Sequence, residues 1–115
     1  MKINYDGRKF RPVTSSATGE AGSKTVFYYH QSGSIVWAEY DGGEIVCGHL
    51  IAIADDEGGL DMRYQHVNKS GDLKTGVCLS TPETASDGKI RLYERWRWTS
   101  EDLWSGTSIL EEFIT

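Results

Sequence analysis

One carboxylate interrupts an otherwise apolar alternation, Ile90-x-Leu92-x-Glu94-x-Trp96-x-Trp98. In an extended strand every second side chain shares a face, so Glu94 is expected to point the same way as Leu92 and Trp96. A carboxylate on an apolar interior face needs a hydrogen-bonding partner or a raised pKa. Such a group anchors a ligand or acts as a general base; otherwise it is bonded to an interior His, Tyr or Trp, or sits near an open rim. His49 and His66 are expected to face inward on neighbouring strands, and with Cys47 and Glu94 they make a conceivable metal set. Adjacent-strand spacing alone does not make those groups converge, so satisfied core histidines are expected and no metal or other cofactor is assigned. The residues expected to line a ligand site are Tyr29, His49, Tyr64, His66, Glu94 and Trp96, with Trp98 beside them, because small-ligand sites are largely apolar and aromatic with few polar groups.

No residue is assigned a catalytic role. Ser80-Thr81-Pro82 reads as a strand end, and the chain has no Gly-x-Ser-x-Gly elbow, P-loop or dinucleotide fingerprint. Register places Cys78 on the outer face and His66 on the inner one, which separates them. The chain is therefore read as more a binder than an enzyme. A small enzyme using Glu94 with His66 or His49 as acid and base is the weakest alternative.

The elements that must position these groups are short strands. Turn signals recur at Asp6-Gly7, Ser32-Gly33, Gly42-Gly43, Gly58-Gly59, Ser70-Gly71, Asp87-Gly88 and Ser105-Gly106. Between them, segments rich in Val, Ile, Thr, Tyr and Trp predict strands over residues 8–13, 25–31, 34–40, 44–54, 60–68, 72–81, 89–99 and 106–114. A short hairpin arm over residues 2–5 is a further candidate. Residues 14–24 and 81–87 read as loops, the first of them mobile, and residues 100–103 as a single helical turn capped by Ser100. A string of hairpins buries its core most simply as a closed barrel. The predicted fold is all-β: one domain over residues 1–115, an antiparallel up-and-down barrel of about eight strands, avidin- or lipocalin-like in architecture.

Pairing across the turns sorts the side chains by face. A Ser32-Gly33 turn opposes Tyr29 to Val36. A Gly42-Gly43 turn opposes Ala38 to Cys47 and sends Cys47, His49, Ile51 and Ile53 inward with Met62, Tyr64 and His66. A Ser70-Gly71 turn adds Thr75, Val77 and Leu79 to that inner face. Outside, Asp61, Arg63, Gln65, Lys74, Ser80, Arg91, Arg95 and Arg97 form a solvated wall. The remaining outer face is apolar, with Val26, Tyr28, Ile35, Trp37, Val46 and Leu50, and Trp37 is expected to cover Gly48. An apolar outer face calls for a cover, so these six residues are assigned to an interface between copies of the chain, a capping loop over residues 14–24 being the alternative.

The net charge of −5 argues against a nucleic-acid partner. Met1-Lys2-Ile3-Asn4-Tyr5-Asp6 shows no apolar signal region, and the longest apolar run, near residues 50–54, is far short of a membrane span. Cys47 and Cys78, without CxxC spacing, read as free thiols. A cytoplasmic protein with no membrane partner is expected.

Several segments mark a family. Arg63-Tyr64-Gln65-His66-Val67-Asn68, Thr75-Gly76-Val77-Cys78, Ser80-Thr81-Pro82-Glu83 and Glu94-Arg95-Trp96-Arg97-Trp98-Thr99, with Tyr28-Tyr29-His30-Gln31 and Ala38-Glu39-Tyr40, resemble short bacterial proteins thought to be avidin-like barrels. The resemblance covers nearly the whole chain. It implies an up-and-down barrel, an interior pocket and oligomers. It does not imply biotin, because no biotin pocket matches residue by residue. Members are sometimes labelled N-acetylglutamate synthase, but acetyltransferases of that kind hold the CoA pyrophosphate on a Gly-rich turn opening a helix, and this chain has neither. The expected function is a small-ligand-binding module, with a partly apolar ligand inside the barrel. The alternative is a packed-barrel oligomeric interaction protein that works through its outer apolar patch. A cavity of roughly a few hundred Å3 touching Glu94 distinguishes the first from the second.

Overall fold

The computed structural model describes residues 3–15, 19–100 and 104–114. Eight antiparallel strands follow one another: β1 (Lys9–Ser15), β2 (Val26–Ser32), β3 (Ile35–Gly42), β4 (Ile45–Ala54), β5 (Leu60–Asn68), β6 (Leu73–Thr84), β7 (Ile90–Trp98) and β8 (Ser105–Phe113). Each pairs with its successor and β8 closes on β1, giving a barrel without a free sheet edge. The up-and-down barrel read from the turn rhythm is the one observed. No helix occurs among the described residues, and Glu101–Leu103 of the expected helical turn lie outside them. Among the described residues no helix is long and apolar enough to cross a membrane.

Two features of the hairpins decide which side chains reach the interior. The first is loop length. The β4–β5, β5–β6 and β6–β7 connections share one design: Gly58, Gly71 and Gly88 donate their N–H groups to the carbonyls of Asp55, Asn68 and Ala85, three residues back. These glycines have φ of 87°, 85° and 87°, so each connection is a tight turn followed by a left-handed residue, the three-residue hairpin loop. Asn68 reinforces its turn by accepting hydrogen bonds from Ser70 N and Asp72 N through its side-chain oxygen. Val67 therefore pairs with Leu73 and His66 with Lys74. This corrects the two-residue Ser70-Gly71 turn by one position, and in a strand one position reverses every side chain. Lys74, Cys78 and Ser80 point inward, while Thr75, Val77 and Leu79 point outward.

The second feature is a bulge. Gly42 pairs with Ile45 but Tyr40 pairs with Gly48, so β4 carries one extra residue near Cys47. Beyond it Gly48, Leu50 and Ala52 face inward, and Cys47, His49, Ile51 and Ile53 face solvent. The expected inner row on β4 is thus wrong from Cys47 onward. Around the Gly33 turn the register also differs, Tyr29 pairing with Ala38 rather than Val36. That shift is of two positions, so the faces of β2 and β3 survive.

The barrel has two unlike halves. At the lower end, where the β2–β3, β4–β5 and β6–β7 turns lie, the N-terminal segment enters the barrel. Tyr5 is fully buried and donates its hydroxyl to Gly58 O at 2.5 Å. Its ring meets Tyr29 at 5.7 Å, and Phe10 packs edge-on against Tyr29 at 4.9 Å. Of the expected hairpin arm over residues 2–5, Lys2 lies outside the described residues, and residues 3–5 form no strand but carry the Tyr5 plug into the barrel. Arg8 closes the same end through paired contacts to Glu112 at 2.8 and 3.0 Å.

Candidate functional site

The upper half is hollow. Bare backbone at two strand positions opens the space: the Tyr64 ring lies against Gly76, and the Tyr40 ring against Gly48. A Cβ on Gly48 would lie 2.5 Å from the Tyr40 ring, and one on Gly76 would meet the Tyr64 ring and hydroxyl. Glycine in a strand interior is a sign of such close approach. With these rings laid against the wall, a cavity of about 60 Å3 remains between mid-barrel and the upper end. A water needs roughly 10–15 Å3 on this scale, so the space suits a few waters or a very small molecule, well below the few hundred Å3 expected for a roomy ligand barrel.

Glu94 stands on the cavity wall, on β7 between Ser80 of β6 and Ser108 of β8. The Ser80 hydroxyl donates to Glu94 Oε2 at 2.7 Å. Burial pushes the Glu94 carboxyl from an ordinary value near 4.5 up to about 7, and the Ser80 hydrogen bond opposes the shift. Above it, Trp96 donates its indole N–H to Ser108 Oγ at 2.9 Å. The alternation that singled out Glu94 therefore placed it correctly on the inner face, but its partner is a serine expected outside.

The cavity roof is built from aromatic groups and a strap. Phe27 stacks on Tyr40 at 4.6 Å, and Trp98 meets Tyr64 at 5.7 Å and Trp96 at 5.7 Å. His66 joins these rings, 5.6 Å from Tyr40 and 5.6 Å from Trp98. Residues 19–21, within a segment expected to be mobile, line the cavity. Their Glu20 carboxylate accepts hydrogen bonds from His66 Nε2 at 2.7 Å and Asn68 Nδ2 at 2.9 Å. On its other side His66 Nδ1 lies 3.0 Å from the Tyr40 hydroxyl. A neutral imidazole protonated on Nε2 satisfies both contacts. Burial lowers the His66 pKa, while the Glu20 hydrogen bond raises it, with burial the stronger.

The expected site residues separate accordingly. Tyr64, His66, Glu94 and Trp96 line the cavity together. Tyr29 is interior but belongs to the solid lower half, packed between Tyr5 and Phe10. His49 is outside, on the exposed face of β4 opposite Glu39 and Gln65. Cys47 is likewise exposed, so the set of Cys47, His49, His66 and Glu94 does not converge. Among the described residues no group of three or more His, Cys, Asp or Glu side chains could hold a metal ion.

Cys78, expected outside, lines the same cavity as His66. It is no nucleophile paired with that histidine: both His66 nitrogens are engaged elsewhere, and the Cys78 sulfur lies 3.8 Å from Ser80 Oγ. Burial also drives its thiol pKa upward, away from the reactive thiolate. Sequence reasoning missed Glu20, Asn68, Ser80 and Ser108. For Asn68 and Ser80 the signal was the turn pattern Asn68-Lys69-Ser70-Gly71-Asp72, which fixes the register of β6; Glu20 sits in a polar loop with no pattern of its own.

The outer apolar patch is also redrawn. Tyr28, Ile35, Trp37 and Val46 are exposed and Val26 half-buried, whereas Leu50 is 5% exposed and lines the cavity. Ile51 and Ile53, expected inside, are 57% and 56% exposed and pair with Trp37 and Ile35. Trp37 covers no glycine; it stacks on His30 at 5.5 Å.

The model of the avidin-like protein family matches residues 3–113. Neither the curated proteins nor the solved structures contain a match to the chain.

Proposed function

The chain belongs to the avidin-like protein family, whose barrels are small-ligand-binding folds in general, and from that premise we propose that it holds a small, partly apolar ligand in the upper cavity. The observation that carries this reading is the cavity itself: an aromatic chamber with one half-satisfied carboxyl, Glu94, on its wall. A core built only for stability would fill that space, as the lower half of the same barrel does. Tyr64, His66, Glu94 and Trp96 serve as the ligand-facing groups, with Trp98, Ser108 and the Glu20 strap completing the chamber. Glu20, His66 and Asn68 secure the strap over the bound ligand.

A second reading concerns the outer face. Ile35, Trp37, Ile51 and Ile53 form one exposed apolar group across β3 and β4, larger than a solvated wall needs. It pairs this chain with a second copy, giving a homo-oligomer. The free thiols Cys47 and Cys78 suit a reducing, cytoplasmic setting, and the acidic balance of the chain suits neither nucleic acid nor an anionic membrane.

Native mass spectrometry of protein purified from its own cells tests both readings at once. The expected result is a dimer or larger species carrying a small adduct, which is lost in Cys78→Leu, a variant that fills the cavity. Wild-type protein free of any adduct, together with Trp96 and Trp98 indole NMR signals that do not move with the small-molecule fraction of those cells, overturns the ligand reading. A monomer at micromolar concentration overturns the oligomer.

A further inference from the structure

Resting on the reading that the upper cavity is the ligand site, we infer that the ligand is a small organic cation, an alkylammonium of a few non-hydrogen atoms, bound by Glu94 within a cage of Tyr64, Trp96 and Trp98. Four observations on the cavity converge on this class.

The first is charge. Among the described residues lining the cavity the charged side chains are Glu20 and Glu94, both acidic, and no Lys or Arg lines it. His66 is held neutral by burial. Lys74, opposite His66 on β6, is not part of the lining. An anionic ligand would face two carboxylates in a low-dielectric space, whereas a cation is drawn there.

The second is unused hydrogen-bonding capacity. An ionised carboxylate offers about four acceptor positions, and among the described residues Glu94 receives a single bond, on Oε2 from Ser80. Its remaining capacity opens onto the cavity. A ligand that brings N–H donors satisfies it; a hydrocarbon does not.

The third is the arrangement of rings. Trp98 stands 5.7 Å from both Tyr64 and Trp96, edge-on to the first and tilted to the second rather than stacked, and all three residues line the cavity. The electron-rich faces of Trp and Tyr attract ammonium groups within about 6 Å. The indole N–H of Trp96 is already donated to Ser108, so an incoming acceptor would have to displace that bond.

The fourth is size. At about 60 Å3 the space admits a cation of a few non-hydrogen atoms with its water removed. Removing that water is costly unless an opposite charge compensates it, and Glu94 on the cavity wall is the group that can pair with the cation as both leave water.

The test is an NMR titration of the indole N–H signals of Trp96 and Trp98 with three probes of nearly equal size: ethylammonium, ethanol and acetate. Ethylammonium is expected to shift both signals saturably, at least tenfold more tightly than ethanol, with acetate weaker still. In Glu94→Gln, ethylammonium should lose at least tenfold in affinity while ethanol is unaffected. Ethanol binding as tightly as ethylammonium to the wild type, or Glu94→Gln binding ethylammonium unchanged, overturns the cation while leaving an interior ligand site intact. Indole signals that respond to none of the three probes overturn both readings. The comparison of probes on the wild type needs no variant, so it decides the matter even where Glu94→Gln folds poorly.

Discussion

The two halves of this barrel are built from the same strands and the same residue types, yet one is solid and the other hollow. Below mid-barrel, Tyr5, Phe10, Tyr29, Val36 and Leu92 are all buried to within 1% of completely, and the N-terminal segment supplies a ring where the strands alone would leave a gap. Above it, glycines at positions 48 and 76 let Tyr40 and Tyr64 lie against the wall, and the cavity beside them is lined by polar groups as well as rings, among them the Glu94 and Glu20 carboxyls and the Ser108 hydroxyl. Interiors are otherwise packed to crystal-like density. A domain that can fill one half of its barrel and leaves the other half open with a carboxyl in it has arranged that half for something other than its own stability.

The largest expected effect that separates the halves is electrostatic. Glu94 has its pKa raised by burial from near 4.5 to about 7. A raised acid pKa means that the folded state holds its proton more tightly than the unfolded chain. Stability from this group is therefore greatest below pH 4.5, falls as pH rises through the window from about 4.5 to about 7, and is lowest above it. A shift of this size is worth roughly 3 kcal/mol, taking about 1.4 kcal/mol per pKa unit. Glu94→Gln removes the penalty, so urea unfolding should find it more stable than wild type by a few kcal/mol at pH 8 and nearly equal at pH 4. The difference between the two proteins isolates Glu94 from other groups. The groups nearest its charge, Tyr5, Tyr29, Tyr40, Tyr64 and Cys78, have their pKa values raised by burial and stay neutral throughout, while His66, Glu20 and Lys74 lie toward the upper rim. Parallel pH profiles for the two proteins would mean that Glu94 is ionised and well solvated, and the contrast between halves would lose its electrostatic side.

A smaller effect tests the packing side. Introducing leucine into each half should give unequal results. Ala52 is buried and paired with Val36 and Met62, outside the cavity lining, and Ala52→Leu should cost about 1–3 kcal/mol by overpacking. Cys78→Leu places its added atoms in the cavity and should change stability by less than about 1 kcal/mol. Thermal unfolding measures both. Equal losses would show that the upper space closes up in solution.

The fold was legible in the sequence because turn chemistry and alternation agree all along the chain. The eight strands fall close to their expected spans, β6 running on to Thr84 and β1 to Ser15. The inner faces of β2, β3, β5 and β7 were legible too: on β5 and β7 polar residues alternate with apolar ones, and on β2 and β3, apolar on both faces, the register differs from the expected one by an even number of positions. β4 and β6 were misread for one physical reason: their alternation is symmetric. Ile51 and Ile53 look as fit for an interior as Leu50, and Val77 and Leu79 as fit as Cys78, so hydrophobicity cannot choose a face and a single extra residue decides it. On β4 that residue is a bulge with no marker except the glycine two positions beyond Val46. On β6 it is the third loop residue, which the Asx-x-x-Gly spacing of Asn68 and Gly71 does mark. Glu94 was legible because a carboxyl breaks alternation whatever the register of its neighbours. Its partner Ser80 was not, because identifying it required the face of β6.

The smallest expected effect concerns two tyrosine hydroxyls, one in each half. In the upper half the Tyr40 hydroxyl lies 3.0 Å from His66 Nδ1 and 3.3 Å from Gln65 O. Tyr40→Phe would leave the buried imidazole nitrogen without its partner and should cost about 1–2 kcal/mol. In the lower half the Tyr29 hydroxyl is buried and has no hydrogen-bond partner among the described residues. Its desolvation is uncompensated, and a buried hydroxyl in that condition costs roughly 1–3 kcal/mol. Phenylalanine has the same ring and would keep the edge-on contact with Phe10. Tyr29→Phe should therefore raise stability by about 1 kcal/mol, or a melting temperature by ~4 °C. The two substitutions are chemically identical and opposite in sign, so differential scanning calorimetry on the pair compares the halves directly. Should Tyr29→Phe destabilise instead, its hydroxyl has a partner in solution. The carboxyl of Glu94, whose charge already acts on Tyr29, is then the group to examine, because such a contact would tie the solid half to the cavity floor.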